Sequence, residues 1–548
     1  MAYYGIPSAG LVLTASTAND TVAISNLGGT TVTAASVYGA DGNDIISLGA
    51  VGLTAVASGT NLGRRLTDAS TGTVTVTGSA TLFGSASYNS ANSVSIDSGA
   101  AGLSGTVSVH VTGVITSQQA ARVVNASLLQ ANAGNDSIAL GDKLTRVSAA
   151  TFAGGAGNDL IGAYTNVNNV WTATTVSGAV FVSSDIEGGN GNDTVYLRGS
   201  AAYSAIDVNA NKGNDLIDFQ SAVLSKSIVG LGAGNDELSG QFISITTGTV
   251  AGGKGNDTIQ LNSTTNSYVV VGGDRAGNVN TDGDGNDSIT INGSLTASTV
   301  YGGAGNDSIT WSGDAGSGNL VSLNKGNDVF TANELSDIDG STIAMGAGND
   351  LFRHQGTAAI NSSTINMGKG ADTFSLSSID VSTGSFSNST INGGAGADFL
   401  LGSASLNNGD TVAFTLGYAT ATDSTITAFD TIGVGIAAAQ SGDYKFQYAP
   451  GGAVGGTFSG VGVTSTNGVV TFSSTYENAV TARASAIAAE ASTGDAAVFI
   501  DGSGINYLFV KGASDNLVVQ VGTASISGGL NDAGLSISEG KTITLSLG

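Results

Sequence analysis

GGAGNDSITW, residues 302–311, joins a run of loop-forming residues directly to a strand. Glycine reaches backbone conformations closed to other residues, and Asn-Asp pairs favour turns. The residues that follow, Ser308, Ile309, Thr310 and Trp311, alternate polar and apolar with the two-residue period of a strand. A tight turn followed by a half-buried strand recurs throughout the chain. The G-x-D signature, preceded by a second Gly or Asn, occurs thirteen times, at Asp44, Asp136, Asp159, Asp193, Asp215, Asp236, Asp257, Asp287, Asp307, Asp328, Asp350, Asp372 and Asp398. From Asp193 onward most spacings are 20 to 22 residues. A repeat of that length indicates stacked units, none of which can bury its own apolar face alone.

Two residues after every one of these aspartates stands a large apolar residue, from Ile46, Ile138 and Ile161 through Ile309 to Phe330, Phe352, Phe374 and Leu400. That parity predicts an interior ladder. Four residues before the aspartate, twelve of the thirteen copies carry Gly or Asn, the residues that most readily adopt positive φ. Upstream lies a further short strand, often Ser-Thr-Ile or Ser-Thr-Val, as at 298–300, 341–343, 363–365 and 389–391. One coil is therefore strand, glycine turn, strand and return loop, and consecutive coils pair in parallel. The expected fold is all-β: a parallel β-roll or β-helix solenoid, flanked by an N-terminal β-rich region and a C-terminal β-rich domain with one short helix.

Composition limits what such a solenoid can do. The 548 residues include 83 Gly, 2 Pro and no Cys, and 17 Lys plus Arg face 42 Asp plus Glu, a formal charge of −25. A nucleic-acid backbone or an anionic membrane would be repelled, and cations are the natural partners. Disulfides and cysteine-based zinc sites are excluded. At 41% hydrophobic and 11% charged, the chain is too apolar to be a disordered acidic tail. No run is long and apolar enough for a transmembrane helix.

Stacked turns bring carboxylates together at strand spacing, which opposes folding unless something compensates. Carboxylate and carbonyl oxygens are the ligands of hard cations, and glycine turns let carbonyls converge. Calcium suits this set best. Magnesium demands tighter octahedral geometry, and zinc would want Cys or His, of which there are none and two. A metal-free solenoid, with Asn-Asp turns that only cap strands, is the alternative.

The pattern G-G-x-G-N-D-x-U, with U large and apolar, resembles the glycine-rich nonapeptide of the RTX family of calcium-binding, type I-secreted proteins. The fullest copies are GGAGNDLIG (154–162), GGNGNDTVY (188–196), GGKGNDTIQ (252–260) and GGAGNDSIT (302–310). The resemblance implies a parallel β-roll with calcium between successive turns, held by the Asp carboxylate and turn carbonyls. It assigns as metal residues Asp159, Asp193, Asp257 and Asp307, with Asn158, Asn192, Asn256 and Asn306 and Gly157, Gly191, Gly255 and Gly305 of the same turns. By extension it assigns Asp44, Asp136, Asp215, Asp236, Asp287, Asp328, Asp350, Asp372 and Asp398. Family arrays commonly repeat every nine residues and bind metal on both edges. Here one good turn occurs per coil of about 21 residues, so calcium is expected along one edge only. The last two copies carry Ala371 and Ala397 in place of Asn, and 92 residues separate Asp44 from Asp136.

Three regions follow: residues 1–130, β-rich; 131–405, the repeat solenoid; and 406–548, a β-rich assembly or secretion domain. Residues 51–130 alternate as strands without the acidic turn, as either metal-free coils or a small sandwich. Residues 477–492 read as a helix. The first residues lack the pattern of a cleaved secretory signal. The C-terminal region is similar to those that follow RTX arrays in secreted proteases and surface-layer proteins and carry an uncleaved export signal.

No catalytic constellation emerges. His110 and His354 are isolated, expected on a strand surface and facing solvent respectively, and there is neither H-E-x-x-H nor G-x-S-x-G. Trp171 and Trp311 read as packing residues. The resemblance implies a secreted, non-enzymatic, calcium-dependent structural protein that assembles with itself into a surface layer or envelope matrix, with a cell-surface glycan or lipopolysaccharide as anchor. A polysaccharide lyase or epimerase and an adhesin or virion appendage are the alternatives.

Overall fold

The computed structural model describes isolated strands within residues 12–49 and 74–84, residues 123–273, 285–400 and 413–521 apart from some connecting loops, and strands at 534–538 and 542–547. The chain divides into two compact units, Met1–Ser288 and Ile289–Gly548.

In the second unit the coil is plainest. Strand Thr299–Ala304 runs into the glycine turn, Ser308–Trp311 leaves it, and the two-residue strand Gly316–Ser317 completes the circuit. Each strand pairs in parallel with its counterpart one coil on. The chains of register are Val300, Val321, Ile343, Ile365, Ile391 and Ile309, Phe330, Phe352, Phe374, Leu400. Because strand side chains alternate, register of like on like carries the apolar residue of every coil inward. Phe330 stacks on Phe352 at 5.2 Å between centroids and Phe352 on Phe374 at 4.7 Å, an aromatic pile worth about 0.5–1.5 kcal/mol per contact beyond the area it buries.

The first unit repeats the scheme, with Ile138, Ile161, Val195, Ile217, Leu238 and Ile259 in register. All are fully buried. Ile46 pairs with Ile138 as well as with Val22, so the strand after Asp44 lies directly beside the strand after Asp136 despite the residues between them. Asp44 itself, His110 and most of residues 51–130 lie outside the described residues.

Parallel stacking continues beyond the last glycine motif. Ala413–Tyr418 pairs with Phe386–Ala395, and Phe399 and Leu400 pair with Thr431 and Ile432. The topology then becomes antiparallel, with Asp495–Ile500, Asn506–Val510 and Leu517–Val521 as successive neighbours. A helix, Val480–Glu490, sets Ala484 and Ile487 against Phe499, Tyr507, Phe509 and Val518. Arg483 lies 4.8 Å over the Phe472 ring, a cation–π contact that holds the helix to the sheet.

One expectation is overturned. His354 is buried, not solvent-facing: it stands four residues after Asp350, in register between Ala332 and Leu376 on the interior face. Burial disfavours the imidazolium and pushes its pKa down to about 4, against the opposing influence of the Ser336 backbone and Asp337. Trp311, at the same offset from Asp307, is also buried.

Candidate metal centre

Each coil turns sharply at the glycine motif, and positive φ is concentrated there. Gly303 and Gly305 have φ of +127° and +149°, and where Asn replaces the first of this pair, Asn211 and Asn324 adopt +79° and +73°. A second reason for glycine is proximity. A Cβ on Gly157 would stand 1.6 Å from the Gly134 carbonyl oxygen of the preceding coil, closer than any side chain permits.

Within each unit this backbone places the aspartates in a column on the inner side of the turn. Asp159, Asp193, Asp215, Asp236, Asp328, Asp350, Asp372 and Asp398 are each no more than 3% exposed. One oxygen is committed: Oδ1 of each accepts the main-chain N–H of the aspartate one coil earlier, at 2.7 Å from Asp136 to Asp159, from Asp159 to Asp193 and from Asp193 to Asp215. The same link joins Asp307 to Asp328, Asp328 to Asp350, Asp350 to Asp372 and Asp372 to Asp398. In these eight residues the other oxygen, Oδ2, is buried and has no hydrogen-bond donor. A buried, unmatched carboxylate oxygen is costly, and its recurrence at the same position in successive coils leaves each of them able to bind a cation.

Electrostatics agrees. Burial, then the neighbouring aspartate Asp136, raises Asp159 to about 9 despite the N–H it accepts. Burial likewise raises Asp328 to about 8, Asp193, Asp215 and Asp372 to about 7, and Asp236, Asp350 and Asp398 to about 6. The charges acting on this column are other aspartates. Two unit charges about 5 Å apart repel by about 3 kcal/mol at an effective dielectric constant near 20. A stack of ionised, uncompensated carboxylates would therefore resist folding.

The donor set fits a hard cation. A methyl carbon placed on Gly154 would lie 2.5 Å from both Asp159 Oδ2 and the Gly188 carbonyl of the next coil. On Gly188 it would lie 2.6 Å from Asp193 Oδ2 and 2.7 Å from the Ala210 carbonyl. Each cradle is thus a side-chain-free space walled by carboxylate and carbonyl oxygens from two coils, the ligand chemistry calcium prefers.

Three of these stretches match RTX calcium-binding repeats. The family model for the RTX calcium-binding nonapeptide repeat (4 copies) matches residues 185–200, 247–265 and 374–405. Among solved structures the chain is similar to the X-ray crystal structure of a hyperactive, Ca2+-dependent, beta-helical antifreeze protein from an Antarctic bacterium. The two are 21% identical over 55% of this chain and 80% of that one, with a TM-score of 0.32. No curated protein sequence matches.

The RTX asparagines occupy a different place from the aspartates. Asn158 Oδ1 accepts the Asn192 N–H at 2.8 Å, and Asn256 and Asn306 accept those of Asn286 and Asn327 at 2.7 Å. These bonds lie on the exposed side of the turn and run from a later coil to an earlier one, opposite in sense to the aspartate links. Gly157, Gly191, Gly255 and Gly305 shape the turn, each beneath the matching glycine or backbone of the next coil.

Asp430 is a member of the column that the motif does not reveal. Its Oδ1 accepts the Asp398 N–H at 3.0 Å, it is fully buried, and burial followed by the Asp398 charge raises it to about 9. The available signal was D-T-I at 430–432, the aspartate-plus-apolar parity without its glycines.

The opposite corner is built without acid. Ser298, Asn319, Ser341, Ser363 and Ser389 form a polar ladder there. Asn319 N–H donates to Ser341 Oγ, Ser341 N–H to Ser363 Oγ and Ser363 N–H to Ser389 Oγ, each at 3.1 Å. The preceding residues, Ala297, Gly318, Gly340, Ser362 and Asn388, all have φ between +45° and +70°.

Proposed function

We propose that this chain is a secreted structural protein that calcium folds outside the cell and that assembles with copies of itself into a surface layer or envelope matrix. The observation that carries the reading is the column of buried Oδ2 atoms. It makes the solenoid conditional on a divalent ion, as suits a protein exported through a channel from an interior poor in free calcium. There the ionised repeats repel and stay unfolded, and millimolar calcium outside completes the turns. Each site filled at about 100 times its dissociation constant contributes about 2.7 kcal/mol, so about ten independent sites contribute on the order of 25 kcal/mol. That exceeds the roughly 5–15 kcal/mol margin of an ordinary domain.

A structural role is supported by the chain's low charge, 11% of residues, with many of its acids engaged in the turns. A surface glycan or lipopolysaccharide is the proposed anchor. Electron microscopy of intact source cells before and after chelation tests the assembly. A lattice that dissolves and releases this chain supports the proposal, and a coat unchanged by complete calcium removal contradicts it.

A further inference from the structure

We infer that the aspartate column ends in a distinct calcium site, formed by Asp398 and Asp430 beside Asp423, which fastens the C-terminal sheet to the last coil. The inference rests on the calcium reading of the array but concerns residues outside the repeat motif. Asp398, Asp423 and Asp430 are 2%, 8% and 0% exposed. Asp398 Oδ2 has no hydrogen-bond donor and points into a space that Gly393 leaves clear. A methyl carbon on Gly393 would stand 2.7 Å from Asp398 Oδ2 and 3.2 Å from Asp430 Oδ2.

Here the closing site departs from the inner ones. At Gly154 and Gly188 the corresponding space faces one carboxylate and one carbonyl of the next coil, whereas at Gly393 the second oxygen is itself a carboxylate. The charge of Asp423 acts on both Asp398 and Asp430, and the Tyr418 phenol interacts with Asp430. Two buried carboxylates with a side-chain-free space between them, under the charge of a third acid, make a hard-oxygen site with more negative charge than a single-aspartate rung.

Its position gives it a task. The Asp430 N–H finds no further aspartate and donates instead to Ser424 Oγ at 2.8 Å, which ends the column. Ser424 Oγ donates to the Val518 carbonyl, and the Val518 N–H donates to the Ser424 carbonyl at 3.0 Å. Asp430 pairs with Val519 on one side, while Thr431 N–H donates to the Asp398 carbonyl at 2.7 Å on the other. The segment therefore lies between the last coil and strand Leu517–Val521, and an ion between Asp398 and Asp430 would clamp both.

The test uses the full chain, stripped by chelator and titrated with CaCl2, with bound calcium counted by elemental analysis and backbone hydrogen exchange read at saturating calcium. Asp430→Asn keeps the acceptor for the Asp398 N–H but loses the charge. It is expected to bind one ion fewer and to speed exchange in residues 517–521 by about tenfold or more. Asp328→Asn, within the array, should also lose one ion while leaving exchange at 517–521 unchanged. An Asp430→Asn chain that retains the full count, or that loses an ion with 517–521 as protected as before, overturns the closing site. If circular dichroism shows Asp430→Asn unfolded in calcium, Asp423→Asn decides: one ion weakened by about tenfold is expected, and unchanged binding of every ion overturns the inference. A wild-type chain that binds no calcium would instead refute the reading of the whole array.

Discussion

In the coils of the second unit the aspartate corner and the serine corner solve the same problem with different chemistry. Both must reverse the chain and satisfy the main-chain N–H groups left between coils. The serine corner does so with neutral oxygens: Ser341 Oγ accepts from Asn319 and donates to the Asp339 carbonyl, so the hydroxyl is satisfied within the protein. The aspartate corner uses Oδ1 for the same purpose and is left with a second, charged oxygen facing inward. One corner is complete as a polypeptide. The other is complete only with a proton or a cation, and the contrast explains how a solenoid can depend on calcium along a single edge.

The largest expected effect is calcium removal, which should unfold the solenoid at pH 8 and leave much more of it folded at pH 5. The sign follows from aspartates whose folded pKa values, about 6 to 9, lie above the ordinary 3.8. Protonation then contributes stability that is fully present below about pH 4 and is lost as pH rises through 6 to 9. Circular dichroism in excess chelator across this range checks it, and millimolar calcium should abolish the pH 8 loss.

Next in size is Asp328→Asn, which should carry opposite signs in the two conditions. With calcium in about hundredfold excess over its dissociation constant the variant loses about 3 kcal/mol, the contribution of one site. In chelator at pH 8 it should be more stable than wild type, because the amide removes a charge from the column and still accepts the Asp307 N–H. Thermal denaturation in both buffers measures the reversal.

Ser341→Ala, at the other corner, should cost about 1 kcal/mol with calcium or without it, through the acceptor withdrawn from Asn319. The smallest effect is Ala297→Gly. Ala297 is exposed at φ +45°, where glycine avoids the left-handed penalty, so the variant should gain about 0.5 kcal/mol, independent of calcium. Equal denaturant midpoints for these two variants and wild type would show that the serine corner contributes less than its geometry implies.

Much of this contrast could be read from residue order. The fixed step from each aspartate to Ile309, Phe330 or Phe352 defines the interior face, and glycine at the turn anticipates positive φ. His354 was readable by the same step, since it shares the parity of Trp311, but its polarity pointed outward while backbone register forces it in. Asp430 escaped because its coil reaches the column without glycine and 32 residues after Asp398, outside the usual period. The serine ladder escaped for a different reason: a Ser at the start of a strand looks ordinary until stacking brings its Oγ beneath the N–H of a residue some 22 positions earlier in the chain.

The central claim is that calcium bridges successive coils at the aspartate corner and leaves the serine corner vacant. Anomalous diffraction from crystals grown in millimolar calcium measures this directly. The account predicts peaks beside Oδ2 of Asp159, Asp193 and Asp328, and none beside Ser341 or Ser363. A folded solenoid whose aspartate corners hold no ion under those conditions would contradict it.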